Sequence, residues 1–372
     1  MSAPHSPHRA WIEIDHDAIR ANLGAVRAIA PDAAVIGVVK ANAYGHGDVP
    51  VARTLVEAGV DRLAVATVDE AVRLRDAGIT VPIVLLWGIG ASEVDAVVSS
   101  GLEPIVYDER TVELLEAAGT PISVHLKVDT GLGRQGIEPG AAVALASRIA
   151  RSRTLSVAGT MSHLAVPGDD DAYTEVQMLR LARTVDAMRS AGIDPGLVHV
   201  SATGAILGGG IGQATAIRPG LVLYGLAPSG MTDRGPRIRP ALSLRALPLR
   251  IFDLPAGEAI GYGLRFRTPT ATRIATLGIG YGDGWPRVHA NNGFVLVRGQ
   301  RAPIVGAISM DGLTVDIGGI AGVTYGDEFT LIGEQEGARI TADEVADERR
   351  TINYEVTTAL RGRLPRRHDG GG

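Results

Sequence analysis

From about residue 34 the chain alternates short apolar runs with amphipathic stretches. The apolar runs fall at 35–39, 62–66, 82–86, 103–107, 122–127, 155–160, 197–200 and 214–218. Most are rich in Val, Ile and Leu without polar alternation, the pattern of parallel strands covered on both faces. Between them, 51–58, 69–77, 92–99, 110–118 and 173–191 carry apolar residues at helical spacing, and Gly59, Gly78, Gly101, Gly119 and Gly192 act as stop signals. Eight successive strand–helix units predict an N-terminal (β/α)8 TIM barrel over residues 10–240. A doubly wound open sheet is the rival, and it rarely needs so many evenly spaced units.

The rhythm changes after about residue 240. Short β-like runs at 242–251, 274–280, 293–297, 302–308, 313–317 and 329–332 are set among frequent Gly and Pro, and helical patterns return only at 341–346 and 354–360. This predicts a β-rich C-terminal domain over 241–368. The strand-like 10–14 precedes the barrel and is assigned to that domain, so residues 1–14 are expected to pack on it. Residues 366–372 read as a frayed tail.

Composition narrows the function classes. A length of 372 residues with 45% hydrophobic content suits a barrel plus a second domain, and a net charge of -5 without basic clusters gives no footprint for nucleic acid. The chain has no cysteine, which removes disulfides, thiolate metal sites and cysteine nucleophiles. No apolar stretch reaches the roughly 18 residues of a membrane span, and residues 1–17 lack the apolar core of a secretory signal. The expectation is a soluble, cytoplasmic protein without a membrane partner. His46 and Asp48 bring no ligand set of metal-binding spacing, and Asp169, Asp170 and Asp171 read as an acidic loop or helix start rather than a calcium site. No metal is expected.

Barrel enzymes place their chemistry at the C-terminal ends of the strands. Lys40 closes the first run, Val35-Ile36-Gly37-Val38-Val39, a position suited to a desolvated amine that attacks a carbonyl. Lys127 and Asp129 close the fifth run, His163 the sixth, and Arg218 the eighth. Thr203-Gly204 and Gly220-Leu221 follow the last two strands, where barrels bind phosphate, and offer a hydroxyl and backbone N–H groups. An amine facing a phosphate cradle suits pyridoxal phosphate. It also suits a phosphorylated sugar handled by an aldolase-like lysine. Taken singly, each residue has a plainer reading: Lys40 as a rim lysine, Lys127 as an ion-pair partner of Asp129, His163 as a core histidine, and Tyr262 as a packing aromatic between two glycines.

The string Val38-Val39-Lys40-Ala41-Asn42-Ala43-Tyr44-Gly45-His46-Gly47 resembles the cofactor-lysine motif of the alanine racemases, which are pyridoxal 5'-phosphate enzymes. The resemblance extends over roughly residues 10–368 and includes Lys127-Val128-Asp129-Thr130-Gly131-Leu132-Gly133-Arg134-Gln135-Gly136, Ile217-Arg218-Pro219-Gly220, Ile260-Gly261-Tyr262-Gly263 and Ile352-Asn353-Tyr354-Glu355-Val356. It implies a barrel followed by a β domain and a homodimer that interconverts L-alanine and D-alanine. Lys40 would hold the cofactor and act as one base, with Tyr262 of the partner subunit as the other. Tyr44, Thr203, Gly220, Leu221 and Tyr354 would bind the phosphate, Arg218 the ring nitrogen, and His163 would link Arg218 to Tyr262. Lys127 would be carbamylated and orient Arg134, while Tyr281 and Met310, the latter also from the partner, would narrow the substrate pocket.

Three positions depart from the family pattern. Thr203 stands where serine is usual, Ser309 where cysteine is common, and Trp285 where tyrosine is usual. Trp285 is expected to narrow the entrance or shift selectivity, and none of the three removes a reacting group. Racemisation of serine or 2-aminobutyrate and a pyridoxal phosphate lyase activity on the same fold are the alternatives. Decarboxylating relatives use a cysteine that this chain lacks. A non-catalytic carrier of the cofactor would resemble the barrel alone.

Overall fold

A computed structural model describes residues 9–231 and 235–370. The chain divides into two compact units, one over Ala18–Arg239 and the other joining the residues up to Asp17 with those from Pro240 onward.

In the first unit, eight strands close into a parallel barrel: β2 (Ala34–Val38), β3 (Arg62–Val65), β4 (Ile83–Leu85), β5 (Leu102–Val106), β6 (Ile122–Lys127), β7 (Leu155–Met161), β8 (Leu197–His199) and β9 (Ala216–Ile217); β1 (Ala10–Asp15) belongs to the other unit. Ring closure is made by Ala34↔Ala216 and Val35↔Ile217. The strands are short and apolar because both faces are covered: every residue of β4 and β5 is buried. Helices such as Asp48–Glu57, Val68–Asp76, Glu109–Glu116 and Asp171–Ser190 alternate with them. Two of the glycines that stop these helices, Gly59 and Gly192, have φ of +85° and +74°, backbone that a side chain would strain. Asp170 is the N-cap of the longest helix, its side chain accepting from the Tyr173 N–H at 2.9 Å.

The second unit is sheet-rich. Its main strands are β10 (Leu242–Ala246), β11 (Pro248–Leu254), β14 (Thr272–Leu277), β15 (Phe294–Val297), β16 (Gln300–Val305), β17 (Leu313–Asp316) and β18 (Phe329–Gln335); the small pair β12 (Ala259–Ile260) and β13 (Phe266–Arg267) stands apart, and β19 (Ala338–Ile340) pairs with β18. β1 pairs antiparallel with β10, through Ala10↔Ala246 to Ile14↔Leu242. The last strand, β20 (Arg366–Asp369), corrects one expectation: these residues are no frayed tail but pair in parallel with Ile12–Asp15. The strand lacks apolar residues, so its pattern gave no sign of it. It is held instead by the backbone of β1, by a His16–His368 ring hydrogen bond of 2.8 Å, and by the Arg367 guanidinium over the Trp11 ring.

Candidate active site

Lys40 leaves the end of β2 and enters a helical turn, Lys40–Tyr44, in which four successive non-glycine residues have positive φ: Ala41, Asn42, Ala43 and Tyr44 at +53°, +55°, +52° and +54°. L-residues rarely adopt this left-handed conformation even singly, at a cost of roughly 1–2 kcal/mol each. The turn is held in place by its neighbours. The Ala43 N–H donates to Val39 O at 2.9 Å, the Gly45 N–H to Ala41 O at 3.0 Å, and the Asp48 N–H to the Asn42 side chain at 3.0 Å. Glu70 pins it from the next βα unit, accepting from the Ala41 N–H at 2.6 Å with one carboxylate oxygen and from the Ala66 and Thr67 N–H groups with the other. Buried Tyr224 packs on the rings of Tyr44 and His46 and donates to Val38 O at 2.8 Å.

This turn brings Tyr44 to the loop after β9. A Cβ on Gly220 would lie 2.7 Å from the Tyr44 hydroxyl oxygen, so only glycine leaves the tyrosine where it is. Thr203, at the start of the short helix after β8, accepts from the Gly220 and Val222 N–H groups at 3.4 and 3.2 Å. Leu221 opens the following 3-10 turn. Tyr44, Thr203, Gly220 and Leu221 are therefore gathered from two ends of the barrel sequence.

Four cations share the mouth. Burial lowers the Lys40 pKa, and Arg134 and Arg218 lower it further against an opposing pull from Glu70. Lys127, 2% exposed, is lowered to about 8 by burial, then by Arg134 and Arg218. Its amine donates to Gln135 Oε1 at 3.2 Å. The ion pair with Asp129 allowed by the sequence does not form, because that carboxylate accepts from the Gly131, Leu132 and Gly133 N–H groups and shapes their loop. Arg134 lies over the Trp87 ring, 5.2 Å from its centroid, and forms no ion pair among the described residues.

Arg218 is buried, and burial pushes its pKa down to about 9, which leaves it a cation at neutral pH. Its terminal nitrogens donate to the carbonyls of His199, Ser162 and Val200 and to the imidazoles of His199 and His163. Its Nε–H makes no hydrogen bond among the described residues. His163 accepts from Arg218 through Nδ1 at 3.3 Å, and burial followed by the Arg218 charge lowers its pKa to about 3, so the ring is neutral.

Tyr262, Tyr281, Met310 and Tyr354 belong to the other unit. Tyr262 sits in a tight 3-10 turn between Gly261 and Gly263 and is 75% exposed. The loops that carry Tyr281 and Met310 are joined through their backbones: the Tyr281 N–H donates to Ser309 O at 3.1 Å and the Gly282 N–H to Met310 O at 2.8 Å. Buried Asp283 ties these loops to Arg9 and Arg363, and Arg363 reaches Asp311 at 2.6 Å. Tyr354 is half-buried, which raises its pKa. Trp285 corrects the sequence expectation. It is 1% exposed, stacked on His289 at 4.6 Å with Arg349 over its ring, so it packs the unit's interior and walls no entrance.

Residues 14–228 match the family described as "Alanine racemase, N-terminal domain", and residues 241–368 the one described as "Alanine racemase, C-terminal domain". The chain belongs to the alanine racemase family. Its relatives include an alanine racemase of Halothermothrix orenii, 38% identical over 96% of each chain. Among solved structures it is similar to an alanine racemase from D-cycloserine producing Streptomyces lavendulae, with 34% identity, a TM-score of 0.92 and 99% of each chain covered. It is also similar to the Bacillus anthracis alanine racemase with bound L-Ala-P, with 34% identity, a TM-score of 0.91, and 100% of this chain and 97% of that one covered. Members of the family are isomerases, and this chain is one.

Several side chains at the site escaped the sequence reading. Glu70 could have been found from the capping box Thr67–Glu70 at the end of the second barrel strand. Gln135 adjoins Arg134 in a motif already singled out. Glu103, His125 and His199 lie within barrel strands, where nothing in the local pattern marks them as partners.

Proposed function

We propose that the protein is an alanine racemase that binds pyridoxal 5'-phosphate and interconverts L-alanine and D-alanine with two bases. Lys40 carries the reading: a strand-end amine whose pKa is lowered by burial, in a chain similar over its whole length to proteins named alanine racemase.

The donor set fits the cofactor. The Thr203 hydroxyl accepts two N–H groups and so has its own proton to donate, and the Tyr44 hydroxyl lies against side-chain-free Gly220. Together with the Leu221 N–H, with the Gly220 N–H once it exchanges its 3.4 Å bond to Thr203 for the ligand, and with Tyr354, they suit a phosphate. The uncommitted Nε–H of Arg218 suits a ring nitrogen. When bound, the cofactor withdraws electrons from an attached amino acid and acidifies its α-hydrogen.

The chain's own groups do the rest. Lys40 Nζ holds the cofactor and exchanges a proton on one face of the substrate, and the Tyr262 hydroxyl of the partner subunit exchanges it on the other. A free lysine and a free tyrosine have pKa values of ~10.4 and ~10, so burial and then the cations around Lys40 bring it closer to the working pH. Arg218 donates a hydrogen bond without surrendering its proton, which restrains loss of the amino group as a side reaction. His163, neutral, connects Arg218 toward Tyr262.

Arg134 has no ion-pair partner among the described residues, and Lys127 can provide an anion. Its unprotonated amine attacks carbon dioxide, forming an N–C bond and releasing a proton, and the resulting carbamate orients Arg134 toward the substrate carboxylate. Tyr281, and Met310 of the partner subunit, narrow the pocket to a small side chain. A cytoplasmic homodimer completes the reading.

The test is purified protein with pyridoxal phosphate and L-alanine in D₂O, followed by chiral separation. D-alanine carrying α-deuterium is the expected product. Deuterium entering L-alanine without inversion would leave one working base, and the absence of both exchange and inversion would refute alanine as the substrate.

A further inference from the structure

Arg218 is a buried guanidinium with no carboxylate in contact among the described residues, yet a carboxylate is connected to it. Arg218 Nη1 lies 2.9 Å from His199 Nδ1, His199 Nε2 lies 2.8 Å from His125 Nδ1, and His125 Nε2 lies 3.0 Å from Glu103 Oε2. Arg62 completes the line with a 3.0 Å contact to the same Glu103 oxygen. Both imidazoles are fully buried, and their rings meet edge to face.

Donor chemistry gives this line one direction. A guanidinium only donates, so His199 Nδ1 must accept and its proton must sit on Nε2. That proton points at His125 Nδ1, which must accept in turn, leaving the His125 Nε2–H to donate to Glu103. A proton added to either imidazole would turn an N–H toward another donor. Burial disfavours the same protonation and lowers the pKa of both imidazoles. The barrel also makes room for the line. β7 runs between the strands of His125 and His199, and a Cβ on its Gly159 would lie 2.5 Å from His125 Nδ1.

We propose that Glu103 is a positioning residue for Arg218, acting through the neutral imidazoles of His125 and His199 in a one-way hydrogen-bond relay across the barrel interior. The negative end at Glu103 and the positive end at Arg218 polarise every link in the same sense, which strengthens each bond. The relay fixes the guanidinium's rotamer and leaves its Nε–H, which makes no hydrogen bond among the described residues, to the cofactor ring. This role rests on the reading of Arg218 as the partner of the cofactor ring.

The experiment uses the cofactor-loaded enzyme labelled with ¹⁵N-histidine, with His125→Asn and His199→Asn for assignment, and measures racemisation on the same samples. Wild-type protein at pH 7 is expected to show Nδ1 bare and Nε2 protonated on both rings. Glu103→Gln keeps an acceptor but removes the charge. It should lower kcat about 10-fold with KM held, the size typical of outer-sphere partners, and shift the His199 signals. A proton on Nδ1 of either ring, or Glu103→Gln with unchanged kcat and unchanged His199 signals, would overturn the relay. If Glu103→Gln does not fold, the wild-type tautomers alone decide. The expected tautomers in a protein without racemase activity would uphold the relay and refute the function.

Discussion

At the scale of single residues, Gly220 and Lys127 expose the site to direct tests. Gly220→Ala would push a methyl group to 2.7 Å from the Tyr44 hydroxyl oxygen and displace the tyrosine from the loop after β9. Cofactor affinity, measured by equilibrium dialysis, should fall about 10-fold, the effect of one lost hydrogen bond to a charged group. Tyr44→Phe removes the atom that clashes, so Gly220→Ala should cost much less in that background. Additive losses would show that the two residues do not share a phosphate. Lys127 has its pKa lowered to about 8, so its amine is half neutral at pH 8 and only about one part in a hundred neutral at pH 6. Because only the neutral amine takes up carbon dioxide, carbamate should be plentiful at pH 8 and nearly gone at pH 6. A ¹³C NMR titration at fixed ¹³CO₂ pressure measures it, and no signal at pH 8 would refute carbamylation.

At the scale of elements, the left-handed turn after β2 is the least ordinary piece of backbone near the site, and Glu70 holds it. Both Glu70 oxygens accept backbone N–H groups, one from Ala41 and the other from Ala66 and Thr67. Glu70→Gln would turn an NH₂ group toward one of these donors. It should lower stability by about 1–3 kcal/mol, seen as a lower urea midpoint at unchanged m-value. An unchanged midpoint would mean that the turn holds itself. The turn also marks where legibility stopped. Strands such as 83–85 could be read directly, because a short apolar run between helical patterns is what a strand covered on both faces requires. The convergence of Lys40, Lys127, His163 and Arg218 followed from strand ends alone. Four left-handed residues in Ala41-Asn42-Ala43-Tyr44 carry no such sign, since alanine suggests a right-handed helix and the outcome depends on Glu70, distant in sequence. The relay from Glu103 to Arg218 was hidden for a related reason: its members are single polar residues on separate strands, joined only when the barrel closes. β20 was hidden because backbone pairing and two histidines, rather than apolar burial, hold it.

At the scale of the whole molecule, the site residues of the sheet-rich unit are exposed in the single chain. Tyr262 is 75% exposed and Met310 52%, and Leu264 and Ile352 are open as well at 58% and 53%. Large apolar and aromatic side chains left open in this number suit a surface that a second subunit covers. If each site joins Lys40 of one subunit to Tyr262 of the other, damage can be complemented. Lys40→Ala and Tyr262→Phe homodimers should each lose racemisation in both directions, since each lacks a base in both sites. After the two are unfolded together and refolded at equal concentration, half of the dimers are hybrids. In each hybrid one site has lost both bases, while the other has Lys40 from the Tyr262→Phe chain and Tyr262 from the Lys40→Ala chain. Recovered activity should reach about a quarter of the wild-type value per subunit, the share set by random pairing. Recovery near that level would require the two bases to come from different chains. No recovery, with hybrid dimers demonstrated by mass spectrometry, would place Lys40 and Tyr262 in the same chain's site and refute the shared-site dimer.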